Sequence, residues 1–303
     1  MLTLVFVVTI FAVFIAGLYL IELFVLQPKR LKEAEAAPRI TLTEVQSFWD
    51  NIEQSSLPIA KATVQKRPPN SPQESRIGGA PLAIGDEPNW PKRPDDGFPL
   101  AFVAQINFAD FPPLEDFPSK GILQIFSSFE WIDDVKGFDR IIRWDPDPVS
   151  DQLMTIPDEI QQTTRRVSEF SEKARRVGLP LTFELGVAPG NPDNWPFEAK
   201  NPWMENRLPE NEEVATILDD WGDRTDRILA RYGIHWVGGH PSFIQADPRI
   251  DNPECRHLDR VVIHLGYDDD IKLGDSGVLN VMISRDALAK RDFQSAYLTW
   301  DCS

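Results

Sequence analysis

Gly78-Gly79-Ala80-Pro81 returns 160 residues later as Gly238-Gly239-His240-Pro241, and each copy runs on to an isoleucine (Ile84, Ile244) and a proline (Pro88, Pro248) at the same offset. Gly121-Ile122-Leu123-Gln124-Ile125-Phe126 returns 156 residues later as Gly277-Val278-Leu279-Asn280-Val281-Met282, and Trp144-Asp145 returns as Trp300-Asp301. Landmarks that recur in one order imply a fused duplication. Two copies are too few for a solenoid, which buries its faces by stacking several repeats, so the copies are expected to close around one core. The expected fold is α+β: a β-rich single domain of two Gly-Gly-x-Pro units with a few flanking helices and one N-terminal transmembrane helix. Its boundaries read as 1–27 for the transmembrane helix, 28–40 for a juxtamembrane linker and 41–303 for the globular domain, with halves of about 41–150 and 151–303.

The elements follow from period and punctuation. Thr41-Leu42-Thr43-Glu44 has capping-box spacing, and Val45, Phe48, Trp49 and Ile52 continue it as an amphipathic helix over about 42–55. Residues 58–75, with four prolines, read as loop. Strands are expected over 100–108, 121–127 and 140–144, and in the second half over 179–187, 260–267, 277–284 and 296–300. One helix is expected from Pro157 to Gly178 on the stripe Ile160, Thr164, Val167, Phe170, Ala174 and Val177, and another over about 212–232, weakened by Gly222 and stopped by Gly233.

Residues 2–26, opened by Leu2 and closed by Leu26, are interrupted only by Thr3, Thr9, Gly17 and Glu22. As a helix, 25 residues span about 37 Å against a hydrocarbon core of about 30 Å, which predicts a membrane span. A cleaved signal peptide is the rival, with Ala34-Glu35-Ala36 resembling a cleavage site, but its bases would precede the apolar run. Here Lys29, Arg30 and Lys32 follow it. That asymmetry favours a single-pass protein of the inner or cytoplasmic membrane whose globular domain faces the cytoplasm; an extracytoplasmic domain is the alternative.

The chain carries 31 basic and 47 acidic residues, a net charge of −16. Residues 1–39 hold four bases and three acids, so the acidity belongs to the globular part. A phosphate backbone binds by releasing counterions to basic side chains, so nucleic acid is not an expected partner. Cys255 and Cys302 are too few for a disulfide scaffold, and reduced thiols are expected.

Arg76-Ile77-Gly78-Gly79-Ala80-Pro81, Asn89-Trp90-Pro91, residues 99–107, residues 120–126, Val237-Gly238-Gly239-His240-Pro241, Leu273-Gly274-Asp275-Ser276-Gly277 and residues 298–302 together resemble the bacterial YwqG-like family, a domain of unknown function. The resemblance runs from about Ser75 to Cys302 and leaves the N-terminal apolar run outside. It implies a β-rich α+β fold and a cytoplasmic relative, with no reaction, cofactor or catalytic residue to carry over. One departure is Leu273, where the family pattern has Trp.

Several residues are candidates for ligand or partner contact. Gly78 and Gly79, with Gly238 and Gly239, can bring backbone amides to a ligand, although a tight turn required by the fold explains them as well. Gln105 and Gln124 match His264 and Asn280 across the duplication, each within an apolar strand. Such groups either face water by strand alternation or line a cleft shared by the halves. His240, Asp275 and Trp90 complete the set, Trp90 as a surface anchor in an Asn-Trp-Pro loop, as is Trp195. Trp144, Trp221 and Trp300 are expected in the core. The histidines His235, His240, His257 and His264 lack the helical spacing of zinc proteases, and Asp268-Asp269-Asp270 reads as a solvated acidic turn. No metal or cofactor is expected. The leading expectation is a protein- or peptide-binding module, the alternative an enzyme of undetermined reaction using His264, Gln105 and His240 in a polar cleft.

Overall fold

Short β-branched and aromatic runs, separated by glycine and proline, satisfy their backbone groups by pairing with one another, and closure into a barrel removes the exposed edges. The computed structural model describes residues 38–85, 89–133, 137–161, 169–198 and 207–303. Ten strands form the barrel: β1 (Leu57–Val64), β2 (Arg76–Ile77), β3 (Ala101–Asn107), β4 (Ile122–Asp133), β5 (Gly137–Asp145), β6 (Leu179–Ala188), β7 (His235–Gly238), β8 (Arg260–Leu265), β9 (Val278–Ile283) and β10 (Tyr297–Asp301). Their order around it is β1-β6-β2-β3-β4-β5-β10-β9-β8-β7. Neighbours pair antiparallel except β5 and β10, which meet at one parallel bridge, Leu298 with Gly137.

The duplication is written into this order. β2 to β5 run side by side in one half and β7 to β10 in the other, while the first strand of each half is exchanged. β1 pairs with β6 and β7, and β6 pairs with β1 and β2. An irregularity repeats too. The register slips between Phe102 and Ala104 in β3 and between Val261 and Ile263 in β8, at corresponding places in the copies. A bulge bends its strand and sharpens the twist, so the two halves curve at the same point. Ala104 and Ile106 of β3, Leu123 and Ile125 of β4, Ile263 and Leu265 of β8, and Leu279, Val281 and Ile283 of β9 share one core cluster.

Two compact units divide the chain: Met1–Asp50 with Lys200–Gly222, and Asn51–Ala199 with Asp223–Ser303. In the first, the capping box forms as expected. Thr41 N donates to Glu44 Oε2 at 2.8 Å and Glu44 N donates to Thr41 Oγ1 at 3.3 Å, opening the helix Leu42–Gln54. Arg207 pairs with Glu44 at 3.0 Å, and this with the Thr41 amide holds the Glu44 carboxyl down at about 2. Trp221 packs on Phe48 and Trp49, with ring centroids 4.9 and 4.5 Å away. The second unit contains all ten strands.

Several expectations are corrected. Residues 58–75 are not all loop. Leu57–Val64 is a strand, and Pro58 is tolerated as its second residue, where the missing N–H interrupts the ladder least. Among the described residues, the helix expected over 157–178 gives two short ones, Asp158–Gln161 and Glu172–Val177, and is not continuous through Phe170. Thr164 and Val167 lie outside the described residues. Phe170 is bridged to Ile271, Lys272 N donates to the Glu169 carbonyl, and Ser171 caps a fresh helix by accepting from Ala174 N at 3.1 Å. Tertiary pairing has overridden a helical stripe there. The helix expected over 212–232 divides into Glu212–Asp219 and Trp221–Leu229. The apolar run from Leu2 to Leu26 lies outside the described residues, and among those described no helix is long and apolar enough to cross a membrane.

Candidate functional site

Each half lays a row of mostly polar side chains across the outer face of the barrel. Leu123 and Ile125 of β4 enter the core, so Gln124 between them points outward. Cross-strand partners share a face, and the first row reads Arg76, Gln105, Gln124, Arg143 over β2 to β5. The second reads Trp236, His264, Asn280, Thr299 over β7 to β10.

This outer face is covered. Gln105, Gln124 and Asn280 are 0% exposed and His264 is 2% exposed, so alternation does not bring them to water. Nor do they line a cleft between the halves, since each pair bonds within its own. Gln124 Nε2 donates to the Leu82 carbonyl at 2.7 Å and to Gln105 Oε1 at 3.0 Å, while Gln105 Oε1 also accepts from Leu82 N at 3.0 Å. Asn280 Nδ2 donates to the Ser242 carbonyl at 2.8 Å, and its Oδ1 lies 2.8 Å from His264 Nδ1. Leu82 and Ser242 each follow directly after a Gly-Gly-x-Pro. The duplicated polar residues therefore clamp the segment after each turn onto the barrel, because a buried carbonyl there requires a donor.

His264 also stacks on Trp236, with centroids 3.5 Å apart and planes 11° apart. Burial drives its pKa down to about 3, against the Asn280 hydrogen bond, so it is a neutral imidazole. His240 Nε2 is 2.9 Å from the Ser55 carbonyl, and burial lowers its pKa to about 4.

The glycine pairs permit close backbone approach. A Cβ on Gly78 would stand 2.4 Å from the Ala174 carbonyl oxygen and one on Gly79 2.6 Å from Gly178 Cα, and both residues have positive φ. In the other copy, a Cβ on Gly239 would stand 2.4 Å from Ile59 Cγ2, and one on Gly238 2.9 Å from the Pro58 carbonyl oxygen. Each pair thus packs on the exchanged strand of the opposite half or on its lead-in. Trp90 is no surface anchor. Its ring is buried against Phe102 and Phe126, and its Nε1 donates to the Leu100 carbonyl at 2.8 Å. Trp195 is half-buried beneath the Arg256 guanidinium, and Asp275 is exposed. The acidic turn is not wholly solvated: Asp270 is buried, accepts from Ser171 Oγ at 2.7 Å and pairs with Lys66. Cys255 is buried with its Sγ 3.3 Å from Asn252 Nδ2, and no disulfide joins it to Cys302. Among the described residues no cluster of three His, Cys, Asp or Glu side chains is placed to hold a metal.

Beside the first glycine turn lies an open groove of about 270 Å³. Pro69, Pro72, Ala80, Leu153 and Val177 make its apolar lining, and Asn70, Ser71, Arg76 and Arg176 its polar one. Leu153 and Val177 are 46% and 42% exposed. Arg76, by contrast, is buried; it donates through Nη2 to the Pro72 carbonyl, and its Nε has no hydrogen-bond partner. Burial lowers its pKa to about 10, with the nearby Glu74 charge opposing. Glu74 is itself engaged by Arg67 at 2.5 Å, and Arg176 pairs with Glu172 at 3.3 Å. Sequence reasoning quoted Arg76 within a motif but passed it over as a candidate. The available signal was the duplication: an arginine stands where the other copy has Trp236.

A family model described as "Domain of unknown function (DUF1963)" matches residues 75–302 of the chain. Among curated proteins, none matches it.

Proposed function

Because the chain belongs to the DUF1963 family, a domain of unknown function, we propose from the site itself that it is a membrane-tethered module that binds a peptide segment in the groove over Arg76. The observation that carries this reading is the groove: apolar walls with two partly exposed side chains, Leu153 and Val177, around a buried arginine. A ligand that covers Leu153 and Val177 removes apolar surface from water, worth roughly 25 cal/mol per Å² before the cost of ordering the peptide. The residues an enzyme would draw on are already committed. Gln105 holds its own half's covering segment, His264 is bonded to Asn280, which holds the other, and His240 is bonded to the Ser55 carbonyl.

The tether is read from the 25-residue apolar run at 2–26 and the three bases that follow it, an asymmetry that favours a cytoplasmic globular domain. A reporter fused after Ser303 and active only outside the cytoplasm stays silent on this reading; a signal overturns the topology. For the groove, full-length protein purified in mild detergent from its native host is compared with Leu153→Arg and Val177→Glu by mass spectrometry of co-purifying proteins. A partner recovered at least fivefold less with both variants supports the reading. Equal recovery removes the groove from it, and a retained small molecule turned over by the purified protein replaces it with an enzyme.

A further inference from the structure

We infer that Arg76 is the seat for a single carboxylate carried on an apolar body, and, on the peptide-binding reading on which this rests, that the carboxylate is the peptide's C-terminal one. The argument is one of local charge. Arg67 takes up Glu74 and Arg176 pairs with Glu172, leaving Arg76 as a groove cation with no ion pair of its own, reached by the Glu74 charge only at longer range. A buried guanidinium is costly unless a counter-charge and hydrogen-bond acceptors meet it, and Arg76 has one carbonyl acceptor, from Pro72, and an Nε with none. Its planar fork matches a carboxylate, and one positive charge calls for one negative charge. A doubly charged phosphate would leave an unmatched negative charge against the Pro69, Pro72 and Val177 walls. A volume of about 270 Å³ sits at the small end of ligand pockets, which suits one terminal apolar residue and part of the next.

The second half supplies an internal contrast. Trp236 occupies the place of Arg76 and stacks on His264, so the duplicated position there is filled by an apolar ring with no charge to satisfy. Only the first copy carries the seat, although both carry the clamp beneath it.

The test uses the full-length chain in detergent and three probes: acetyl-alanyl-leucine as the free acid, the same dipeptide as its amide, and hexanoate, each titrated calorimetrically against wild type and Arg76→Gln. The free acid is expected to bind at least tenfold more tightly than the amide, and Arg76→Gln to bring the two within threefold of each other. Acid and amide binding wild type equally overturns the carboxylate seat while leaving the peptide-binding module standing. Hexanoate matching the dipeptide acid, with the same loss in Arg76→Gln, keeps the seat and overturns the peptide reading. No binding of any probe up to millimolar concentration overturns the seat. The acid-to-amide comparison needs no variant, so the test holds even where Arg76→Gln fails to fold.

Discussion

At Gly79 and His264, single side chains or their absence determine what the backbone can do. Gly79 has φ +74°, and a Cβ there would meet Gly178 backbone at 2.6 Å, with no flexible side chain to give way. Gly79→Ala is therefore expected to cost about 2–4 kcal/mol in urea unfolding, from the left-handed backbone and the clash together. Asn280→Ala should cost about the same, because it orphans both the Ser242 carbonyl and the His264 ring N–H. The buried histidines also predict an acid response with a definite sign. Their folded pKa values, about 3 for His264 and about 4 for His240, lie below the ordinary 6.5, so the unfolded chain takes up protons that the folded chain refuses. Stability is unaffected by them above pH 6.5 and falls as pH drops below it, by about 1.4 kcal/mol per pH unit for each histidine until its folded pKa is reached. His264→Gln should flatten the unfolding free energy between pH 6 and 4 by about one proton relative to wild type; an unchanged slope would refute the buried neutral imidazole.

Among the elements, the helix Glu172–Val177 illustrates tertiary context deciding what a local pattern leaves open. Ile160, Phe170, Ala174 and Val177 have helical spacing with Pro157 at the front and Gly178 at the end, yet Phe170 is in a bridge and Ser171 begins the helix anew. Ser171 accepts from Ala174 N and donates to Asp270 Oδ1, so Ser171→Ala removes a cap and orphans part of a buried carboxylate. A loss of about 1–3 kcal/mol is expected, more than the cap alone would give. The Thr41 capping box and the strands around Gly121 and Gly277 were legible because caps and apolar runs act within a few residues. β1 was hidden by Pro58, and the groove's arginine by the ordinary look of a single base among 31.

For the barrel as a whole, exchange of the first strands ties the halves together. Without the second half, β1 loses both neighbours, β6 and β7, and β2 loses β6. Residues 41–150 expressed alone are therefore expected to show no cooperative thermal transition, while co-expression with 151–303 restores one. Cooperative unfolding of either half alone would contradict the exchange. The β5–β10 seam is the thinnest, one bridge at Gly137 supplemented by Arg140 bonding the Ala296 carbonyl and Gln294 bonding the Ile142 carbonyl. Gly137 has positive φ, and a Cβ there would lie 2.3 Å from the Leu298 carbonyl oxygen, so Gly137→Ala should open this seam first, seen as faster amide exchange in β10.

By itself the sequence determined what is local or repeated: the duplication, most strand positions, the Thr41 cap, the acidic surface composition and the apolar run at 2–26. Periodicity and punctuation act over a few residues, and a duplication preserves them in order. Tertiary structure alone decided that each half lends its first strand to the other, that the outer face bearing Gln105, Gln124, His264 and Asn280 is covered, and that Arg76 is buried without an ion pair and with its Nε unpartnered. Those outcomes depend on residues distant in sequence. The same glutamine would be solvated on an open sheet and is a clamp only because the segment after Gly-Gly-x-Pro lies over it with a carbonyl to satisfy.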